Sequence, residues 1–318
     1  MSSLIADIGG TNARFALVAD GSTEAGDPMV FPCADFASPA DAALAYLQRL
    51  RPDPMPRRGA FAIASPVTGD RVEMTNHVWR FSVAETRDRL RLEQLEVVND
   101  FTAVALAVPY LQPPDRVTVG GHAAIDGMPM AVIGPGTGLG VSALLPSRGG
   151  WLPIPSEGGH ITMAAADERE AKVIAWLRGR RGHVSAERVL SGPGLVNLYT
   201  ALRGLLGLDE EALTPAQVTD MAAKGDPLAR EAMAMFFAML GTVAGNLALT
   251  LGAKGGVVIA GGIVPRHLPA FLASDFRQRF EDKGRFRSWL EPIPVHVATH
   301  PFPAFLGLAN FLNNQVSS

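Results

Sequence analysis

Asn99 and Asp100 stand where an apolar run, Leu95 to Val98, stops abruptly at an amide and a carboxylate. If that run is a buried strand, its end carries the pair to the rim of a sheet, where open α/β proteins place their ligands. Asp100 is read as the group that removes a proton there, while Asn99 also suits a plainer role as a helix cap. A second polar group is Ser156-Glu157-Gly158-Gly159-His160, an acid and an imidazole around two glycines. Glu-x-x-His on a helix would suggest half of a di-iron site, but the glycines argue against a helix. A loop that presents Glu157 and His160 to a ligand is expected, with two structural polar residues as the alternative. Glu187, taken alone, reads as a solvated helix residue. Carboxylates and amides in this number match the donating and accepting hydroxyls of a carbohydrate, so a sugar is the expected substrate.

Glycine turns form the other chemical signal. Leu4 to Ile8 runs into Gly9-Gly10-Thr11-Asn12 and then into Ala13 to Val18; Met130 to Ile133 runs into Gly134-Pro-Gly-Thr-Gly-Leu-Gly140 and then into Val141 to Leu145. Strand, glycine turn with a threonine, strand reads as a β-hairpin in each half. The recurrence suggests two related domains facing each other across a cleft. Successive N–H groups in such a turn make a concave donor surface for phosphate oxygens, and glycine lets the anion approach. Gly261-Gly262 follows a third apolar run. Each turn alone can equally be a plain structural hairpin. The chain has no Gly-Lys dipeptide, and the glycines at 134–140 alternate, so neither a Walker A loop nor a dinucleotide-binding turn is present. Asp7, just before the first turn, would repel phosphate unless a divalent cation lies between them. Mg²⁺ held through water fits there, and capping of the turn is the other reading.

The 318 residues, 47% hydrophobic, suffice for two domains with separate cores. A net charge of −3 gives no polycationic face, so nucleic acid and anionic membranes are poor partners. One cysteine, Cys33, excludes an intrachain disulfide and a multi-cysteine zinc cluster and suits a reducing cytoplasm. The first residues lack the basic and apolar regions of a signal peptide. Ala232 to Ala253 carries no charge and contains Gly241-Thr-Val-Ala-Gly245, a small-residue motif found where membrane helices pack. Asn246, Thr242 and Thr250 interrupt it, so a helix buried all round in the core is the better account.

The elements that must position these groups alternate. A capped helix is expected from Ser38 to Leu50, a strand at Phe61 to Ser65, a helix from Ser82 through Leu92 opened by a capping box with Glu85, and then the Leu95 to Val98 strand. Prolines 109, 113 and 114 put a domain boundary near residue 111. Helices follow at Glu168 to Arg178, Pro193 to Leu206, from Thr214, over Pro227 to Leu251, and at Leu268 to Glu281. A strand at Val295 to Ala298 and a helix from Pro303 to Leu312 complete the chain. The expected division is 1–110 plus 301–318 as a small domain and 111–300 as a large one.

Seven blocks occur in order: Asp7-Ile-Gly-Gly-Thr-Asn-Ala-Arg14, Thr75-Asn76-His77, Asn99-Asp-Phe-Thr-Ala-Val104, Gly136-Thr-Gly-Leu-Gly140, Glu157-Gly-Gly-His160, Gly182 to Gly194, and Ala260-Gly-Gly-Ile-Val-Pro-Arg266. Across nearly its whole length the chain resembles bacterial glucokinases of the family without the zinc-binding cysteine motif, in the hexokinase and actin-like ATPase superfamily. The resemblance implies an α/β, two-domain actin-like ATPase (ribonuclease H-like) fold with a cleft between the domains, and ATP-dependent phosphorylation of glucose at its 6-hydroxyl, the entry to glycolysis. It implies Asp100 as catalytic base, with Asn99, Glu157, His160 and Glu187 on the sugar hydroxyls. Asp7, Gly9, Gly10, Thr11 and Asn12, with Gly136, Thr137 and Gly138, would face the phosphates of ATP, and Gly261 and Gly262 the adenosine. A cytoplasmic homodimer is also implied.

Two positions depart from the family pattern. Pro135 replaces a common alanine and has no N–H, so the grip at that turn falls to Gly136, Thr137 and Gly138; Ser156 replaces a common glycine. A kinase for another hexose or an amino sugar is the nearest alternative. A sugar-responsive repressor on the same scaffold would need a DNA-binding segment before Leu4, and none fits there.

Overall fold

The computed structural model describes residues 2–75, 77–148 and 150–316. Asn76, in the middle of the Thr75-Asn76-His77 block, lies outside the described residues. The chain divides into two compact units, Met1–Gln112 with Pro146–Pro155 and His300–Ser318, and Pro113–Leu145 with Ser156–Thr299. Residues 146–155 thus group with the first unit, although their sequence position suggested the second.

In the first unit, β1 (Ser2–Ile8) and β2 (Asn12–Ala19) form the expected antiparallel hairpin across the glycine turn, with Ile8 opposite Ala13. With β3 (Met29–Pro32), β4 (Arg58–Ile63) and β7 (Gln94–Asn99) they give a sheet of order β3-β2-β1-β4-β7. The pairs β1–β4 and β4–β7 are parallel, with Ile8 level with Ile63 and Ile63 level with Asn99. A small ribbon, β5 (Arg71–Glu73) with β6 (Arg80–Ser82), stands apart.

Side chains alternate across the sheet, and the two faces differ in size. Phe15 and Phe61 point to one side, ring centroids 6.1 Å apart, into a core shared with Tyr46, Leu47 and Trp79. Tyr46 and Leu47 come from α1 (Pro39–Leu50), which Ser38 caps through the Asp41 N–H. On the other side Ala16, Ala60 and Ala62 form a shallow surface that admits α3 (Asp100–Ala107) and α12 (Pro303–Val316), which bring Ala103, Phe305 and Leu308. Each buried Phe contributes about 1.5–3 kcal/mol relative to exposure.

The second sheet runs β11-β10-β9-β12-β13-β8. Its strands are β8 (Arg116–Thr118), β9 (Met130–Pro135), β10 (Leu139–Ser147), β11 (Gly150–Ser156), β12 (Val257–Ile259) and β13 (Val295–Ala298). The second glycine turn joins β9 to β10 as an antiparallel hairpin, and β12 runs parallel to β9. Around it lie α4 (Glu168–Arg181), α5 (Gly192–Leu205), α6 (Pro215–Lys224), α7 (Pro227–Leu251), α8 (Ile263–Arg266), α9 (Leu268–Leu272), α10 (Phe276–Glu281) and α11 (Arg287–Leu290). Thr214 and Gln217 form the reciprocal capping box of α6.

Helix α7 is the uncharged stretch. Most of its apolar length is buried inside the protein. A Cβ at Gly241 or Gly245 would overlap the carbonyl oxygens of Phe276 and Phe280, so the two glycines are the seam along which α10 lies on α7. The small-residue motif serves close packing here.

Two expected helices are shorter than their periodicity suggests. The helix after Ser82 is α2 (Val83–Arg89), not a helix through Leu92, because Arg91 turns to φ 56° and the chain leaves for β7. The stretch 268–281 is split into α9 and α10, because Ser274 Oγ donates to Phe271 O (2.6 Å) and accepts from Phe276 N (3.3 Å). A serine that satisfies the backbone locally competes with helix continuation.

Gly241→Val should lower stability by about 1–3 kcal/mol, because the opposing atoms are main chain and cannot step aside. Gly179→Ala, on the exposed side of α4 with nothing within 4 Å of the new methyl, should instead raise it by up to about 1 kcal/mol. Urea unfolding midpoints of the two variants check the contrast.

Candidate active site

In the first unit three neighbouring parallel strands end at one level, and Asp7, Ser65 and Asn99 lie within two residues of those ends. At the end of β7, the Asn99 side-chain oxygen accepts from the Phe101 and Thr102 N–H groups at 2.9 and 3.1 Å, so Asn99 is the N-cap of α3. Its Nδ2 donates to Ser65 O (3.4 Å) beyond β4. The plainer role is therefore filled by the amide oxygen, and the amide nitrogen is what Asn99 can offer a ligand. Asp100 is the first helical residue, half-buried, with Oδ1 accepting from the Phe101 N–H at 2.7 Å. An anionic carboxylate at a helix start is favoured by the aligned peptide dipoles.

Ser65 and Thr75 escaped the sequence reading as a pair. Their hydroxyls lie 2.9 Å apart, and Ser65 Oγ also accepts from Thr75 N (2.8 Å), so these bonds tie the segment after β4 to the stretch after β5. Only the Thr75-Asn76-His77 block hinted at it.

At the end of β1, Asp7 lies directly across the hairpin from Arg14, and Arg14 Nη1 reaches Asp7 Oδ2 at 3.2 Å. Burial raises the Asp7 pKa above its ordinary 3.8, and the nearby guanidinium opposes that shift. Neither earlier reading of Asp7 foresaw this partner, although Arg14 stood in the first block. The turn is closed by Gly9 N to Asn12 O (2.9 Å) and braced by Cys33, whose N–H donates to Thr11 O (2.8 Å) and whose thiol donates to Gly9 O (3.4 Å). Thr11 is exposed above it. Among the described residues no group of three or more His, Cys, Asp and Glu could enclose a metal. A single carboxylate beside a glycine turn does fit Mg²⁺, which keeps several waters and takes phosphate oxygens as ligands.

In the second unit the 136–138 turn and Gly261-Gly262 meet at the ends of two neighbouring parallel strands. Ala260 N donates to Ile133 O (2.9 Å), and Gly261 has φ 81° with no room for a Cβ against Pro135 O. Gly136 N donates within the turn to Gly138 O (2.8 Å), which leaves the Thr137 and Gly138 N–H groups and the exposed Thr137 hydroxyl as its outward donors. Pro135 is the last residue of β9, opposite Leu139, and offers no N–H of its own.

Glu187 lies on this same turn. Its Oε2 accepts from Leu139 N at 2.8 Å, and its own N–H donates to Gly159 O at 2.8 Å. Gly159 lies between Glu157 and His160, which are both exposed on one 3₁₀ turn, Gly158–His160, closed by His160 N to Glu157 O (3.0 Å). The loop expected around the two glycines contains this single turn and no α-helix. Ser156 accepts from Gly158 N through its hydroxyl (3.0 Å) and so fixes the turn's start, a bond that a glycine at 156 could not make. Glu157, His160 and Glu187 are thus joined in one unit, with Asn99 and Asp100 in the other.

The family model described as Glucokinase matches residues 4–315. The chain belongs to the glucokinase family. A glucokinase of Paramagnetospirillum magneticum is 57% identical over 314 residues, covering 98% of this chain and 97% of that one. One of Aromatoleum aromaticum is 50% identical over 315 residues, covering 99% and 95%. Among solved structures, a glucokinase from an Antarctic psychrotroph superposes with a TM-score of 0.90 at 38% identity, covering 98% and 99%. The glucokinase of Balamuthia mandrillaris in complex with glucose, at TM-score 0.79 and 22% identity over 98% and 93%, shares the fold. The fold is the actin-like ATPase type, and members of the glucokinase family are sugar kinases.

Because burial raises the Asp7 pKa, the folded chain holds more protons than the unfolded one just above pH 3.8, and stability falls as pH rises through that window. Asp7→Asn should remove this dependence and gain on the wild type between pH 4 and pH 7. Paired urea melts at those two pH values measure it.

Proposed function

We propose that this chain transfers the γ-phosphoryl group of ATP to the 6-hydroxyl of glucose, giving glucose 6-phosphate and ADP. The observation that carries the reading is the position of Asp100, at the helix start just past a parallel strand end, within a chain that matches the glucokinase family from residue 4 to 315.

Asp100 accepts the hydroxyl proton as the sugar oxygen attacks the γ-phosphorus and the bond to the bridging oxygen breaks, with ADP leaving. Phosphoryl transfer needs positioning and charge neutralisation more than covalent help, so a base of ordinary carboxylate strength suffices. Asn99 Nδ2, Glu157, His160 and Glu187 hold sugar hydroxyls, and a site built for those hydrogen bonds discriminates against analogues that lack them. The Gly9–Asn12 turn and the Thr137 and Gly138 N–H groups take phosphate oxygens, with Gly261 and Gly262 beside the adenosine.

Mg²⁺ bound with the nucleotide neutralises phosphate charge, and Asp7 would hold it through water. Arg14 then keeps Asp7 ionised and oriented across the hairpin. The two units take the parts of the small and large domains; the resemblance supports a homodimer, the single cysteine a cytoplasmic setting, and the net charge of −3 a protein without nucleic-acid or membrane partners.

A coupled ADP-release assay over a panel of hexoses and amino sugars, with ATP and Mg²⁺, should give its highest kcat/KM with glucose; turnover confined to another sugar would overturn the substrate. Asp100→Asn should cut kcat by about 10²–10⁴. Its glucose affinity by calorimetry should stay close to that of the wild type. Near-normal turnover in that variant would refute the base assignment.

A further inference from the structure

The Glu187 carboxylate does more than face a ligand. Its Oε2 accepts the Leu139 N–H at 2.8 Å, and a Cβ on Gly138 would stand only 2.6 Å from the same oxygen, so the carboxylate lies directly against the 136–138 turn. Its main chain is held as tightly. Glu187 N donates to Gly159 O (2.8 Å), Glu187 O accepts from Ser191 Oγ (2.9 Å), and Gly192 N donates to Gly136 O (2.8 Å). One residue therefore touches the turn that carries Glu157 and His160, the start of α5, and the phosphate turn.

We propose that Glu187 is a positioning residue for the nucleotide turn as well as a sugar ligand, and that through it glucose and nucleotide each raise the affinity for the other. This rests on the reading of Glu187 as a sugar ligand. With Oε2 on Leu139 N–H, Oε1 is the oxygen left for a sugar hydroxyl. A hydroxyl bound there fixes the side-chain rotamer and with it the hydrogen bond that orders Leu139 and the adjoining Thr137 and Gly138 N–H groups. A nucleotide that meets an already ordered turn loses less conformational freedom on binding. Such coupling is reciprocal by thermodynamic necessity. A hydrogen bond to a charged acceptor is stronger than one between neutral groups, so the carboxylate transmits the effect better than an amide would.

The test is titration calorimetry of the whole chain with a non-hydrolysable ATP analogue and Mg²⁺, with and without saturating glucose, and of glucose with and without the analogue. In the wild type each ligand should tighten the other by the same factor, about 5-fold or more. Gly138→Ala leaves the Glu187 residue in place but crowds its carboxylate off Leu139 N–H, so the coupling factor should fall towards one whatever the change in affinity for either ligand alone. Glu187→Gln should weaken glucose binding and lower the coupling factor together. A wild-type factor of one, or a factor unchanged in both variants, overturns the proposal. If Glu187→Gln loses sugar affinity but keeps the coupling, the positioning role alone fails. Unchanged glucose affinity in Glu187→Gln removes the sugar-ligand reading beneath it. Melting curves of both variants establish that the ratios come from folded protein.

Discussion

In the first unit the parallel ladder of β1, β4 and β7 holds Ile8, Ile63 and Asn99 at one level, so three strands stop together. A backbone ladder with a two-residue side-chain period has no tolerance for a slip of one: every inward residue would turn outward. The register is held by unequal faces, with Phe61 against an aromatic core and Ala60 and Ala62 against helices α3 and α12. The same packing that keeps Phe61 buried keeps Asn99 at the rim, and Asn99 in turn starts the helix that begins with Asp100. The candidate base owes its place to hydrophobic burial several residues away.

The second unit applies that constraint to glycine turns. Strands β9 and β12 run parallel, and the turns that follow them come so close that Gly261 excludes a side chain against Pro135. A surface of main-chain donors needs such a close approach, because any Cβ would stand between the N–H groups and an anion. The polar residues near it are bound to the backbone more than to one another. Glu187 bonds Leu139 N, Ser156 bonds Gly158 N and Ser191 bonds Gly194 N, so the side chains hold the shape of the turns.

Charge placement has a stability cost that the fold meets in different ways. Asp7 is paired across a strand hairpin by Arg14, yet burial still holds its carboxyl above the ordinary pKa. Elsewhere the fold satisfies a buried acid fully: Glu170, 2% exposed, takes Arg279 at 2.8 Å and the Ala166 N–H at 2.8 Å. An incompletely compensated carboxylate beside a glycine turn marks a candidate functional site.

The two hairpins, the buried α7, the capped helices α1 and α6 and the polar rim at Asn99-Asp100 were all legible in the sequence. Each depends on residues near in the chain: apolar period, turn glycines, a cap and its N3 partner. The family blocks extended that reading to the whole length. Helix ends at Arg89 and Leu272 were misplaced, because a single αL residue and a serine that bonds its own backbone outweigh an apolar period. The grouping of residues 146–155 with the first unit was not legible, since no local signal marks it. The Asp7–Arg14 pair was within reach, since the hairpin across residues 9–12 sets the two opposite each other, but the sequence could not pair Ser65 with Thr75 or Glu187 with Leu139 as specific contacts. Those hydrogen bonds join residues brought together by sheet register and by the packing of loops on strands, and long-range geometry of that kind is decided only when the cores close.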